Sequence, residues 1–260
     1  MAGAAPDLDT TDDAVLGGRL RLRQPRRGHR VGHDAILLAA AAASPSGGLA
    51  VELGAGVGAA GLALALRAPA LRVALVEIDP ALAALAAHNA AANGLSDRVA
   101  AAVLDVGSAG GAAWARAGLG PGCADAVLMN PPFNPPRLQP SADAGRRLAH
   151  AAAPDTLRAW AGAAAALLRP GGGLTLIWRA EALGEVLDAL ADRAFGGVGI
   201  LPVHPRPDAA AIRVLVRAVK GSRAPLMLAP PLVLNNAAGR PSEAAEAVLR
   251  HARPLRFGPG

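Results

Sequence analysis

The chain has 260 residues, of which 52% are hydrophobic and 2% aromatic, and its formal net charge is +6. A chain of this length buries a substantial core and suits one large α/β domain, so that two full domains are not expected. The positive charge fits a polyanionic partner such as RNA, and the single cysteine excludes an intrachain disulfide and a cysteine-based zinc site.

The first residues are acidic and lack the basic and apolar regions of a signal peptide. The apolar run from 35 to 43 is shorter than the roughly 20 residues that a membrane-spanning helix needs. We therefore expect a cytoplasmic protein without membrane association. A monomer with no bound metal is expected.

Residues 1–12 are expected to form a disordered tail, followed by a single domain over residues 13–260. The domain is expected to begin with an arginine-rich hairpin at about 15–32. Its arginines alternate with leucines, which is the period of a half-buried strand, and Gln24 to Gly28 carries Pro and Gly where a turn belongs.

From residue 34 the chain alternates between helical patterns and apolar runs. A helix is expected from Asp34 to Ala43, with Asp34 as its N-cap. The predicted strands are 49–53, 71–78, 99–106, 125–130, 170–178, 210–219 and 225–234. The predicted helices are 59–67, 80–93, about 109–117, 154–168, 180–194 and 242–251. Repeated βαβ crossovers indicate a Rossmann-like, doubly wound α/β fold with a mainly parallel, seven-stranded sheet.

A glycine-rich loop, "VELGAGVGAAG", places Gly54, Gly56 and Gly58 between the strand at 49–53 and the next helix. Glycines allow a ligand to approach the backbone closely, and a helix N-terminus favours a negative group. The spacing of Gly56, Gly58 and Gly61 also satisfies the dinucleotide pattern G-x-G-x-x-G, so a nicotinamide or flavin enzyme is an alternative.

Three acidic residues stand at strand ends near this loop. Glu52 lies two residues before Gly54, where it can face the ammonium end of a methionine moiety. Glu77 ends the second strand of the series and can accept both hydroxyls of a ribose, a role that both alternatives share. Asp105 ends the third, within reach of an adenine amino group. The alternatives are that Glu52 only caps the loop and that Asp105 only starts a turn.

The pieces "VELGAGVG", "LVEIDP", "LDV" and "LLRPGGGL" follow one another in the order typical of class I S-adenosylmethionine-dependent methyltransferases. The chain resembles that family over roughly residues 30–220. The resemblance implies S-adenosylmethionine as the cofactor, with Glu52 and the three glycines at its methionine side, Glu77 at the ribose and Asp105 at the adenine. Asn130 is also expected among the cofactor-binding residues.

The strand at 125–130 ends in Asn130, Pro131, Pro132 and Phe133. An exocyclic amine is a poor nucleophile because its lone pair is delocalised, so it must be held and aimed. The Asn130 side-chain oxygen and the Pro131 carbonyl can accept its two N–H bonds, and two prolines restrict the backbone. Phe133 can stack on an extruded base. The alternative is a loop in which the prolines end a strand and Phe133 packs into the core.

Asn-Pro-Pro-aromatic resembles the signature of amino-group methyltransferases, which act on adenine N6, guanine N2 or the glutamine amide of release factors. Many relatives carry Tyr where this chain has Phe133. The segments at residues 12–42 and 219–250, on the two sides of the core, resemble bacterial valine-tRNA (adenine-37-N6)-methyltransferases. This resemblance implies tRNA, or another structured RNA, as the substrate. A protein-glutamine N5-methyltransferase and a guanine-N2 rRNA methyltransferase are the alternatives.

A cluster of arginines in the expected hairpin can follow phosphates beside the pocket. Its members are Arg19, Arg21, Arg23, Arg26 and Arg27. A solvated strand face is the alternative, because Lys220 is the only lysine and nearly all positive charge in this chain comes from arginine.

Overall fold

The computed structural model describes residues 9–28, 30–132 and 156–257. Phe133 and the loop from Asn134 to Pro154 lie outside the described residues, as do the first eight residues of the predicted tail.

Eleven strands and seven α-helices make up the described part of the chain. The strands are β1 (Thr10–Val15), β2 (Leu20–Pro25), β3 (Gly48–Leu53), β4 (Leu71–Glu77), β5 (Val99–Val103), β6 (Ala124–Met129), β7 (Leu168–Arg179), β8 (Phe195–His204), β9 (Arg213–Lys220), β10 (Met227–Leu228) and β11 (Leu232–Val233). The helices are α1 (His33–Ala41), α2 (Ala59–Arg67), α3 (Pro80–Ala92), α4 (Ala112–Arg116), α5 (Thr156–Leu167), α6 (Leu183–Ala191) and α7 (Glu243–Leu249).

The large sheet has the order β10-β8-β9-β7-β6-β3-β4-β5, with β11 also paired to β8. Strands β3 to β7 are parallel to one another, whereas β9 runs antiparallel to both β7 and β8. From β3 the chain proceeds to β4 on one side, and β6 later pairs on the other side. This reversal creates a topological switch point, where doubly wound sheets bind ligands beyond the carboxyl ends of their strands. The predicted Rossmann-like fold is confirmed.

The helices cover both faces of the sheet. One core cluster packs α1, α2, α3 and β2 against the first face, and a second packs α4, α5 and α6 against the other. Burial on both faces explains why the central strands read as continuous apolar runs. Within the described ranges, no helix is long and apolar enough to cross a membrane.

The predicted number of seven strands was wrong, because the sheet has nine. Two of the differences are in which segments form strands. Strand β8 was not predicted, since glycines, which are depleted in strands, occupy Gly196, Gly197 and Gly199. A Cβ at Gly199 would lie 2.9 Å from the Phe257 ring, so close packing explains that glycine. The predicted strand 225–234 is instead two strands of two residues each, separated by a segment with two prolines that cannot donate to the ladder.

The N-terminal hairpin differs from its predicted bounds. Strand β1 pairs with β2 from Thr10↔Pro25 to Val15↔Leu20, so residues 10–12 belong to the hairpin rather than to a tail. Its turn lies at 16–19, where Leu16, Gly17 and Gly18 have positive φ, and not at 24–28. The alternation in β2 is as predicted, because Leu20 and Leu22 are fully buried.

Asp34 does not cap α1, because Gly32 occupies the N-cap position. Asp34 lies in the first turn instead, and its carboxylate accepts a hydrogen bond from Arg213 Nε at 2.9 Å. The first strand position of β9 is thereby tied to α1, which fixes the helix across the sheet.

Candidate cofactor and substrate site

The glycine loop and the Asn-Pro-Pro segment leave adjacent strands at the switch point. Strands β3 and β6 pair in register with Leu53 opposite Met129, and Gly54 and Asn130 are the residues that follow. Neighbouring strands lie about 4.8 Å apart, so the two predicted motifs meet at the same edge of the sheet.

The loop after β3 has alternate residues in the left-handed region. The φ angles of Gly54, Gly56 and Gly58 are +65°, +55° and +88°. Residues with a Cβ rarely adopt this conformation, which is why the sequence uses glycine at each of these positions. A Cβ built on Gly56 would have no atom within 4 Å, so the loop presents open space there. Such a cradle fits the close approach of a ligand.

Glu77 is held by three backbone N–H groups at the end of β4. Its Oε2 accepts from Gly56 N at 2.7 Å, and its Oε1 accepts from Ile78 N at 2.8 Å and Asp79 N at 2.9 Å. A carboxylate has about four acceptor sites, so about one remains for a ligand. The carboxylate is oriented beside the glycine loop. The predicted binding of two ribose hydroxyls by Glu77 would require one carboxylate oxygen to accept from a hydroxyl and a backbone N–H at the same time.

Glu52 points into the protein rather than toward the open end of the site. Its side chain is 5% exposed, and its Oε2 accepts from Gly61 N in α2 at 2.6 Å. Burial raises the pKa of the Glu52 carboxyl to about 8, the Gly61 hydrogen bond opposes the shift, and nearby Glu77 adds to it. This bond joins β3 to α2 beneath the loop. A contact of Glu52 with a cofactor ammonium stays a prediction.

Asp105 begins a turn, as one of the two interpretations of this residue predicted. Its Oδ1 accepts from Gly107 N at 2.9 Å and caps a short 3-10 helix at Val106–Ser108. The residue is exposed at the carboxyl side of β5. Its second carboxylate oxygen has no hydrogen-bond donor among the described residues, and an adenine amino group would suit it.

Asn130 carries the clearest sign of an absent ligand. Its Oδ1 is buried and accepts no hydrogen bond from any residue in the described part of the chain. A buried acceptor without a donor costs about 1–3 kcal/mol, and native proteins keep few of them without a reason. Pro131 is buried and Pro132 half-buried directly after it. The backbone here is therefore fixed around an unused acceptor.

Two residues of the site were not predicted from the sequence. Trp160 in α5 lies against Gly54, where a Cβ would be 2.3 Å from its Cη2. Asn89 in α3 donates to the Val57 carbonyl of the glycine loop at 3.0 Å. The i,i+4 pair Asn89 and Asn93 in an alanine-rich helix is a signal for the second contact, whereas Trp160 gives none.

The arginines of the hairpin fall into three groups. Arg23 and Arg26 form exposed ion pairs with Asp12 and Asp9, at 2.9 and 3.0 Å. The Arg23 hydrogen bond lowers the pKa of Asp12. Arg19 Nη1 donates to the His251 carbonyl at 3.2 Å.

Arg21 and Arg27 form the third group. Both are exposed, and neither makes an ion pair with the residues described. The carboxylates of Asp9 and Asp12 therefore offset part of the positive charge predicted for the hairpin. Exposed ion pairs contribute little to stability, so the two paired arginines can exchange partners.

The fold and the site together define a class of protein. Class I methyltransferases combine a Rossmann-like sheet with a glycine loop, a carboxylate at a strand end and, beside them, an Asn-Pro-Pro segment that supplies a hydrogen-bond acceptor. The model of the methyltransferase small domain family matches residues 30–200, and the chain belongs to this family. Its class uses S-adenosylmethionine as cofactor, so the predicted class and cofactor are confirmed and the dinucleotide alternative is excluded.

Solved structures support the same fold. A crystal structure described as a predicted O-methyltransferase from Agrobacterium tumefaciens is 30% identical, with a TM-score of 0.71, over 86% of this chain and 98% of that one. The 16S rRNA N2 G1207 methyltransferase of T. thermophilus, solved with AdoMet and guanosine, is 22% identical with a TM-score of 0.52. That match covers 83% of this chain and 46% of the other, and it bears on the fold alone.

A curated relative matches part of the chain. It is a tRNA1(Val) (adenine(37)-N6)-methyltransferase of Porphyromonas gingivalis, 38% identical over 108 residues. The match covers 40% of this chain and 41% of that protein. The chain thus spans about two fifths of the length of the curated relative that it matches.

Proposed function

We propose that the protein transfers a methyl group from S-adenosylmethionine to the N6 amine of adenine in a structured RNA, namely tRNA, with position 37 of valine tRNA as the target. The observation that carries this proposal is the buried, unused Asn130 Oδ1 at the switch point, next to the glycine loop. The residue types around it suit an amine.

The Asn130 oxygen accepts one N–H of the amine, and the Pro131 carbonyl accepts the other. Both contacts draw the nitrogen toward tetrahedral geometry and free its lone pair for attack. A carboxamide accepts a hydrogen bond but does not take the proton, which the methylated nitrogen would release to water after the transfer. Asn130 is therefore suited to an amine, whereas a hydroxyl acceptor requires a general base to take its proton.

The cofactor supplies the reactive methyl group on a sulfonium, so the protein's task is positioning. Gly54, Gly56 and Gly58 would hold the methionine side and Glu77 the ribose. Asp105 would hold the adenine. Glu52 would support the loop from below, through Gly61, rather than touch the ammonium.

The substrate side of the proposal rests on charge and on the curated relative. Phe133 follows Pro132 in the sequence and offers a face for base stacking. Arg21 and Arg27 are the hairpin arginines available for phosphates, with Arg19, Arg23 and Arg26 beside them. A tRNA substrate places the protein in the cytoplasm, and we propose that it acts there as a monomer.

Incubation with labelled S-adenosylmethionine and unfractionated tRNA, followed by nucleoside mass spectrometry, tests the proposal. We expect labelled N6-methyladenosine in RNA from the wild-type protein and no label with Asn130→Ala. Labelled N2-methylguanosine would reassign the base. Label in release-factor glutamine but none in RNA would replace the proposed substrate class with a protein amide.

A further inference from the structure

Asn89 joins three parts of the molecule through one buried side chain. It is 1% exposed on α3. Its Oδ1 accepts from Arg23 N at 2.7 Å, and its Nδ2 donates to Arg23 O and to Val57 O, both at 3.0 Å. Every acceptor and donor of the carboxamide faces the hairpin backbone or the glycine loop.

Asn93, the C-cap residue that follows α3, makes the same type of contact with the hairpin. Its Oδ1 accepts from Arg21 N at 2.9 Å, and its Nδ2 donates to Arg21 O at 2.7 Å and to Asn89 O in α3. The two carboxamides therefore occupy the free edge of β2 as a third strand would. Unlike Asn89, Asn93 contacts no atom of the glycine loop in these hydrogen bonds.

Val57 lies between Gly56 and Gly58, in a loop whose glycines give the backbone wide freedom. A hydrogen bond to its carbonyl restricts that freedom. The Asn89 side chain that donates this bond also makes two hydrogen bonds to the Arg23 backbone. The glycine loop is therefore connected to the hairpin as well as to its own sheet. Loss of the hydrogen bond between Asn89 and Val57 would allow the loop to adopt conformations that bind the cofactor poorly.

We propose that Asn89 is a positioning residue that makes the N-terminal hairpin part of the cofactor site. Binding of the cofactor and order in the hairpin are coupled through the Asn89 side chain. The inference rests on the proposed binding of S-adenosylmethionine in the glycine loop, and it goes further by giving the hairpin a role in that binding. Such coupling acts in both directions.

The test compares the same substitutions at the two positions. Asn89→Ala and Asn89→Asp remove the donor to Val57, whereas Asn93→Ala and Asn93→Asp remove equivalent bonds to the hairpin and leave the loop contact intact. Affinity is measured by calorimetry with S-adenosylhomocysteine on the full chain, and folding is checked by thermal unfolding. We expect the dissociation constant to rise about tenfold for Asn89 variants and less than about twofold for Asn93 variants.

Amide exchange gives a second measurement. S-adenosylhomocysteine should slow exchange of the Arg23 amide in the wild type and in Asn93→Ala, and it should leave that amide unchanged in Asn89→Ala. Equal losses of affinity at the two positions, or wild-type affinity for folded Asn89 variants, would overturn the proposal. A wild-type protein that binds no S-adenosylhomocysteine would instead overturn the cofactor assignment on which the proposal rests.

Discussion

The indole ring of Trp160 lies against the α-carbon of Gly54, so closely that an added Cβ would stand 2.3 Å from the ring's Cη2. Gly54 begins the loop after β3, and Trp160 belongs to α5. A glycine is thus required twice at this position, once by its φ of +65° and once by the ring. Through this contact, α5 packs directly against the glycine loop.

A pair of glycine substitutions separates these two requirements. Gly54→Ala and Gly56→Ala each place a Cβ on left-handed backbone, which costs about 1–2 kcal/mol. Gly54→Ala also forces Trp160 to move, so we expect a further loss of about 1–3 kcal/mol in unfolding free energy. Urea titration measures both variants. Trp160→Leu should restore part of the Gly54→Ala loss and none of the Gly56→Ala loss, and a double-mutant cycle showing no coupling would contradict the contact.

Asn130 should show activity and stability changing in opposite directions. Asn130→Ala removes a buried acceptor that has no donor in the described protein, so we expect the unfolding free energy to rise by about 1 kcal/mol. Methyl transfer should fall by at least about 100-fold with little change in cofactor affinity. Asn130→Asp keeps acceptor oxygens and serves as the control, with a smaller loss of transfer. A large drop in the stability of Asn130→Ala would mean that the amide is structural.

The buried Glu52 carboxyl should make stability depend on pH. Its pKa is raised from 4.5 to about 8 by burial. Between those values the folded state holds more protons than the unfolded state, so the Glu52 contribution is fully present below pH 4.5 and is lost as pH rises through 8. The slope is at most about 1.4 kcal/mol per pH unit.

Glu52→Gln removes this titration and keeps an acceptor for the Gly61 amide. We expect the variant to gain stability relative to the wild type as pH increases from 5 to 8, measured as the difference in unfolding free energy. A difference that stays constant across this range would show that Glu52 is ionised in the folded protein throughout.

The hairpin arginines should not contribute equally to RNA binding. Arg21 and Arg27 make no ion pair within the described chain, whereas Arg23 and Arg26 are paired with Asp12 and Asp9. If the hairpin meets phosphates, Arg21→Gln and Arg27→Gln should each reduce the slope of log K against log salt by about 1.

The paired arginines provide the matched control for this measurement. Arg23→Gln and Arg26→Gln should reduce the salt slope by less than half as much, because their guanidinium groups already have carboxylate acceptors. Filter binding of tRNA at several salt concentrations would give the slopes. Four equal slopes, all matching the wild type, would remove the hairpin from the proposed RNA surface.

The alternation of strands and helices over 48–129 and 156–179 was predictable because it depends on short-range sequence patterns. The predicted helix 59–67 matches α2 in both bounds, and most of the central strands agree within a few residues. Strand β8 was not predicted, because its glycines are required by contacts with residues distant in sequence, such as Phe257. Such contacts produce no local periodicity.

The candidate site shows the same division. The sequence indicated Asn130 and the three glycines because proline and glycine restrict or release the backbone wherever they occur. It did not indicate the direction of the Glu52 side chain, which depends on how closely α2 packs at Gly61.

The sequence by itself determined the class of fold, the order of its central elements, the glycine loop and the Asn-Pro-Pro segment, since each depends on residues close together in the chain. Only the tertiary structure decided that Asp12 and Asp9 neutralise part of the hairpin, that Trp160 closes on Gly54 and that Asn89 reaches Val57. These contacts join residues from 11 to about a hundred positions apart. Folding has to bring such residues together before their side chains acquire a role, because their partners lie far away along the chain.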